Sequence, residues 1–311
     1  MKLLLALLVL VSTATVTADP PRPRIAGLAH VGLFVHDVEK ARAYYRDLLG
    51  YTEVFPVRND DGSLRLTYFK VNDRQYIELF PERAVGTDRL AHVAFETDNA
   101  EALRQYLKAK GVAVPDKVNK GRIGNTAFTV KDPDGHIIEF VQYEPDGMTV
   151  KESGKSLGTD RVSPVMRHAG FLVGTLDASM TFYRDLLGFR ETWRGSRDGT
   201  TLDWVNLQMP DSEDYIEFML YRDLPAEHAR GSQNHLCLVV PDITAAAATV
   251  QARAPKVGYS RPVEVRTGVN RKRQLNLFDP DGTRSELMEP QTIDGKPTPS
   301  SAAPPPVRAG R

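Results

Sequence analysis

His30-Val31-Gly32-Leu33-Phe34-Val35, followed by Tyr44-Tyr45-Arg46-Asp47-Leu48-Leu49-Gly50-Tyr51, decides the architecture of this chain. The first stretch alternates as a strand does: His30, Gly32 and Phe34 share one face, and Val31, Leu33 and Val35 share the other. The aliphatic face predicts packing on a helix, with the histidine left on the opposite side. That helix follows at once. Asp37 suits the N-cap, Val38, Ala41, Tyr45, Leu48 and Leu49 fall near helical spacing, and Gly50 is placed to end it. Three further strands are predicted near residues 51–57, 64–71 and 76–80, the last carrying Tyr76-Ile77-Glu78-Leu79-Phe80. The module order is β-α-β-β-β.

The same statement is made four times. A histidine opens a strand and a glutamate lies between apolar neighbours on a later one, in the pairs His30/Glu78, His92/Glu139, His168/Glu217 and His235/Glu286. The members of each pair are 48, 47, 49 and 51 positions apart. The third module copies the first at a constant offset of 138, so that Phe182-Tyr183-Arg184-Asp185-Leu186-Leu187-Gly188-Phe189 repeats the helix end and His168-Ala169-Gly170 the strand. The second and fourth share a different mark, Asp132-Pro133-Asp134-Gly135 and Asp279-Pro280-Asp281-Gly282. Proline second and glycine fourth suit a type I turn joining the last two strands. Repetition on this scale means duplicated halves of two modules each.

The preserved residue types are metal ligands. A histidine opening an apolar strand is more often a core residue, and a glutamate flanked by apolar residues more often points to solvent. Agreement across four copies overrides both readings, because a carboxylate on a concave face is costly to bury without a cation. His30, Glu78, His92, Glu139, His168, Glu217, His235 and Glu286 are therefore the predicted ligands. Two imidazoles with two carboxylates suit divalent Ni, Co, Mn, Zn or Fe and disfavour a thiophilic ion. The sequence leaves open whether each site forms within a half or between halves.

The β-α-β-β-β unit, the His and Glu positions, the YYRDLLG-type helix end and the DPDG turn together resemble the vicinal oxygen chelate superfamily. That group includes glyoxalase I, extradiol ring-cleaving dioxygenases, epimerases, and the fosfomycin and bleomycin resistance proteins. The resemblance covers about residues 25–289. It implies an α+β fold of four βαβββ modules paired into two cupped half-barrel domains, residues 25–146 and 165–289, joined by a linker at 147–164. It also implies a metal-dependent lyase, isomerase or epimerase acting on a small substrate that chelates the metal through neighbouring oxygens, with Glu139 and Glu286 as the candidate general bases. Extradiol dioxygenases carry a histidine about twelve residues before the DP turn and a tyrosine three before it. Those positions here are Thr267 and Asn276, or Lys120 and Thr129, so ring cleavage is the alternative. A binding protein without turnover is a third reading, opposed by the retained ligand types.

The remaining composition sets bounds. Forty basic residues balance forty acidic ones, which excludes a global field drawing the chain to nucleic acid or anionic lipid. A small-molecule partner is expected, and nothing calls for an obligate protein partner. Cys237, the single cysteine, reads as a small buried hydrophobe. Residues 1–18 read as a secretory signal peptide, with Lys2, an apolar run from Leu3 to Val11 and the small-residue stretch Val16-Thr17-Ala18, so a secreted or periplasmic location is expected. Residues 290–311, with six prolines, are expected to be a disordered tail. His36, His136 and His228 read as exposed. Trp193 and Trp204 read as core or cavity wall, and Arg261, Arg266, Arg271, Lys272 and Arg273 as a solvated hairpin or an anion-holding rim.

Overall fold

The computed structural model describes residues 21–307; the expected signal peptide lies outside the described residues. The first module consists of β1 (Ile25–Val35), α1 (Val38–Arg42, continued by a π-type turn over Ala43–Leu48), β2 (Thr52–Arg58), β3 (Leu64–Lys70) and β4 (Tyr76–Pro81). The second has β5 (Leu90–Thr97), α2 (Ala100–Ala109), β6 (Asn119–Lys120), β7 (Thr126–Lys131) and β8 (Ile137–Gln142). Asp37 caps α1 as its sequence suggests, its carboxylate accepting from the Glu39 and Lys40 amides. Gly50 closes the helix at φ +80, and a side chain there would meet the Asp160 backbone.

The linker contains α3 (Met148–Lys151). It is laid back on the first half: the Tyr51 hydroxyl donates to Ser163 O at 3.0 Å, and buried Lys70 donates to Glu152 O and Lys155 O at 2.6 and 2.7 Å. The second half repeats the pattern with β9 (Val165–Val173), α4 (Leu176–Met180, continued over Thr181–Leu186), β10 (Arg190–Gly195), β11 (Trp204–Gln208) and β12 (Tyr215–Leu220). Its second module has β13 (His235–Val239), α5 (Ile243–Arg253), β14 (Arg266–Thr267), β15 (Lys272–Phe278) and β16 (Arg284–Thr292).

Each half is one eight-stranded curled sheet, ordered β2-β3-β4-β1-β5-β8-β7-β6 and β10-β11-β12-β9-β13-β16-β15-β14. The two modules of a half therefore join through their first strands, β1 to β5 and β9 to β13, both antiparallel. This settles the pairing left open by the sequence: modules pair within halves. The aliphatic face of β1 is buried with α1, Val31, Leu33 and Val35 sharing one core cluster with Ala41, Tyr45 and Leu48. That core runs on into the second half. Tyr106 on α2 donates to Leu186 O at 2.9 Å, and Phe95 packs on Phe189 with ring centroids 5.4 Å apart. Among the described residues no helix is long and apolar enough to cross a membrane.

Two expectations are corrected. Residues 290–307 follow a defined path: β16 extends to Thr292, Ser301 N donates to Arg194 O at 2.9 Å, and Leu202 N donates to Pro304 O at 2.8 Å. A proline-rich segment needs no core of its own when it borrows the free edge of β10 for hydrogen bonds. His136 is half-buried, its Nδ1 2.9 Å from Asp132 Oδ2 and its ring on Phe171, because the turn it follows is covered by the other half. His36 and His228 are exposed.

Candidate metal centres

In the first half, β1 and β5 cross at Gly32, whose Cα partner in the ladder is His92. A methyl group at Gly32 would lie 2.5 Å from His92 Cε1, so the glycine leaves the space that the imidazole fills. The result is that the two strands' histidines meet with their rings nearly perpendicular, His30 Nε2 lying 2.8 Å from His92 Nε2. The two last strands bring the carboxylates. Glu78 Oε2 lies 3.4 Å from His30 Nε2 and 3.1 Å from His92 Nε2, and Glu139 oxygens lie 3.9 and 3.7 Å from the same atoms. His30, Glu78 and His92 form a buried group with ligand atoms within 4.8 Å of one another, and Glu139 closes the set from the cavity side.

Burial and mutual contact perturb all four side chains. Burial drives the His30 imidazolium down to a pKa of about 3. Burial pushes the Glu139 carboxyl up to about 7, with the Glu78 charge adding to it. For Glu78, burial is outweighed by the His92 hydrogen bond and the two imidazoles, which hold its carboxyl below the usual range. His92 is displaced upward, since Glu78 and Glu139 outweigh the burial that opposes its charge. Facing Nε2 atoms at this separation accommodate one shared proton at most. Two lone-pair nitrogens and two carboxylates around one point suit a divalent ion of the Mn, Fe, Co, Ni or Zn series, and the donor set contains no thiolate.

Above the quartet opens a cavity of about 450 Å³. Phe55, Tyr68, Tyr76 and Tyr143 line it, and Arg65, Lys120 and Arg122 stand around it. Thr149 reaches the wall from α3, held by a 2.8 Å hydrogen bond from buried Asn125. These wall residues were not singled out from sequence. Tyr68 lies on β3, Tyr76 two residues before Glu78 on β4, and Tyr143 just past β8 in phase with Glu139, a signal that becomes readable only once the concave face is known.

The second half repeats the core geometry. His168 Nε2 is 3.0 Å from His235 Nε2 and 3.4 Å from Glu286 Oε2, while His235 Nε2 is 3.6 Å from Glu217 Oε1 and 3.8 Å from Glu286 Oε2. Gly170 makes room for His235 as Gly32 does for His92. Cys237 is buried as expected, yet its sulfur groups with His168 and Glu286, and burial pushes its thiol far up, away from nucleophilic use. The surroundings differ. The cavity here is only about 60 Å³, walled by Trp193 and Trp204, and Arg284 Nη2 lies 2.6 Å from His235 Nδ1. Arg284 occupies the register position that Ile137 holds in the first half, two residues after the end of the turn motif. The basic hairpin is largely spent on local partners: Arg271 on Asp294, Arg273 on Glu289, and Arg261 stacked on Phe278.

A family model for the glyoxalase/bleomycin resistance protein/dioxygenase superfamily matches residues 27–140 and again 165–287. The chain belongs to that superfamily. Among curated superfamily relatives, a lactoylglutathione lyase from Neisseria meningitidis is 29% identical over 123 residues, which is 37% of this chain and 89% of that protein. Among solved structures, the Mn(II)-bound glyoxalase from Novosphingobium aromaticivorans superposes with a TM-score of 0.64 at 17% identity, covering 92% of this chain and 89% of that one. The 2,3-dioxygenase LapB from a Pseudomonas species gives 0.65 at 18% identity, covering 90% and 98%. Likeness at this identity shows the shared tandem superfamily fold, and the reaction has to be argued from the site.

Proposed function

We propose that this protein is an exported, divalent-metal-dependent lyase or isomerase of glyoxalase type, working in the first-half cavity. The observation that carries the reading is the convergence of His30, Glu78, His92 and Glu139 at the floor of a cavity of about 450 Å³. A bound divalent ion would supply Lewis-acid polarisation of neighbouring substrate oxygens. His30, His92 and Glu78 are the buried holders. Glu139 is the member turned toward the cavity, its side chain 20% exposed against 4% for Glu78. It is thus the residue placed to take and return a proton between adjacent carbons of the substrate.

The aromatic wall excludes water from the substrate body, and Arg65, Lys120 and Arg122 favour an anionic substituent at the mouth. Ring cleavage is less well supported: Lys120 and Thr129 line this cavity where a dioxygenase would present its acid/base histidine and tyrosine. Export rests on residues 1–18, and the mature N-terminus read by mass spectrometry checks it.

The test is turnover of the metal-loaded protein in deuterium oxide with hemithioacetals of methylglyoxal and small anionic thiols. Incorporation of solvent deuterium at the carbon that receives the returned proton supports the reading. Oxygen uptake with catechols, and none of this exchange, would instead assign the site to ring cleavage.

A further inference from the structure

The two quartets are alike in ligands and unlike in counter-charge. In the first, no lysine or arginine pairs with the four side chains among the described residues, and Ile137 holds the position after the turn that Arg284 holds in the second. In the second, the Arg284 guanidinium enters from β16, touching His235 Nδ1 at 2.6 Å, Gln233 O at 3.3 Å and Met219 Sδ at 3.4 Å. We propose that Arg284 takes the place of a metal's charge in the second half, so that the chain holds its ion in the first half alone. This rests on the metal reading of the first quartet given above.

Two physical consequences of the contact lead there. The first is charge. Arg284 lines the same small buried cavity as Glu217 and Glu286 and touches His235, so an arriving dication would have to work against its charge. The second is the proton on His235. A ligating imidazole offers the Nε2 lone pair and so carries its proton on Nδ1, where a carbonyl normally receives it. Gln233 O is in place to do so, 2.9 Å from His235 Nδ1. Arginine has only protons to give, and Arg284 Nη2 needs that same Nδ1 as an acceptor. While the arginine contact holds, the proton is moved to Nε2, the atom facing His168, Glu217 and Glu286. An imidazole in that tautomer has no lone pair on Nε2, the atom facing the other ligands, and its Nδ1 lone pair is taken by Arg284.

Access points the same way. Trp193 and Trp204 reduce the second cavity to about 60 Å³, and Asn270 on its rim is tied down by Thr298 Oγ1, which donates to Asn270 O at 2.5 Å. A chelating substrate of several heavy atoms has no room there. The second half thus keeps the fold's ligands as a neutralised polar core that completes the domain.

The experiment is Mn²⁺ binding to the metal-stripped full chain by equilibrium dialysis with elemental mass spectrometry, for the wild type, Arg284→Ile and Arg284→Gln. Fold is checked by circular dichroism. Nitrogen-15 spectra of the stripped protein read the His235 tautomer independently of any loading. The expected result is one tight ion in the wild type, lost in His30→Ala and kept in His168→Ala. A second site, tightened about 10- to 100-fold, appears in Arg284→Ile or Arg284→Gln, the range typical of groups that orient a ligating histidine. The nitrogen spectra show His235 protonated on Nε2 in the wild type and on Nδ1 in the variants. Two equivalent tight ions in the wild type would sink the role of Arg284 and leave the metal reading standing. No ion in any of the proteins would sink the metal reading itself.

Discussion

Tyr45 and Asp279 belong to opposite halves of the chain, and the Tyr45 hydroxyl donates to Asp279 Oδ2 across 3.0 Å in the buried seam between them. The relationship is reciprocated. Tyr183, the equivalent of Tyr45 in the second half, donates to Asp132 Oδ2 at 2.9 Å. Each aspartate opens a DPDG turn and uses its other oxygen to hold that turn, Asp279 Oδ1 accepting from the Asp281 and Thr283 amides and Asp132 Oδ1 from the Asp134 and His136 amides. The two conspicuous sequence marks, the YYRDLLG-type helix end and the DPDG turn, are therefore two sides of one contact, made twice.

Removing the hydroxyl leaves a buried carboxyl oxygen without its donor. Tyr45→Phe is expected to destabilise the protein by about 1–3 kcal/mol, the usual penalty for an orphaned buried acceptor. Tyr183→Phe should cost less, because His136 Nδ1 remains 2.9 Å from the same Asp132 oxygen. Urea unfolding of both variants at one pH checks the order, and equal losses would mean that His136 contributes nothing to the turn.

The seam also sets a pH dependence. Burial raises the Asp279 carboxyl from 3.8 to about 7, the nearby Asp281 charge adding to it. Its native form then binds a proton that the unfolded form releases at lower pH, so this group's contribution to stability falls as pH rises from about 4 to about 7 and is flat above. The full shift corresponds to at most about 4 kcal/mol. Asp279→Asn keeps an Oδ1 acceptor for the two amides and offers Tyr45 a donor. It is expected to unfold with a visibly flatter stability profile between pH 4.5 and 7.5. A profile parallel to the wild type would show that Asp279 is ionised throughout.

Much of this arrangement was legible in the sequence, for reasons that can be named. The four His/Glu pairs and the β-α-β-β-β order follow from strand alternation and capping, which are local rules, and Asp37, Gly50 and the paired turns obey them. The joining of modules within halves was not legible, because β1 pairs with β5 by contacts that no spacing in the chain dictates. Arg284 escaped notice for a related reason. On β16 it reads as one more charge in a basic module, and only the antiparallel approach of β13 to β9 and its parallel pairing with β16 bring it against His235. The tail misled because its composition predicts no core of its own, while the edge it binds belongs to β10.

Gly32 and Gly170 tie the strand crossing to the chemistry. The Gly32→Ala methyl would overlap the His92 ring, and the ring has to rotate or the strands have to part. Metal affinity of the first site is expected to fall about 10- to 100-fold, the range for disturbing the support of a ligating histidine. Overall stability should change less, since Gly32 lines the site and not the helix-facing core. Manganese dialysis alongside thermal melting separates the two effects, and unaltered affinity would show that the ring has free space to move.

The roles of the two first-half glutamates divide by exposure. Glu78 is buried beneath the imidazoles and held in its charged form by them, which suits a permanent holder of the ion. Glu139 faces the cavity, where its carboxylate can reach a proton on the substrate body that Glu78 cannot. Glu139→Gln is therefore expected to lower kcat by about 10²- to 10⁴-fold, the usual worth of a positioned general base, while metal stays bound. Glu78→Gln is expected to release the metal, with activity lost in proportion and partly restored by excess ion. Metal content and kcat measured together for both variants decide the matter. If Glu139→Gln loses only metal and recovers full turnover on reloading, Glu139 is a ligand and nothing more, and the proton is carried by another group.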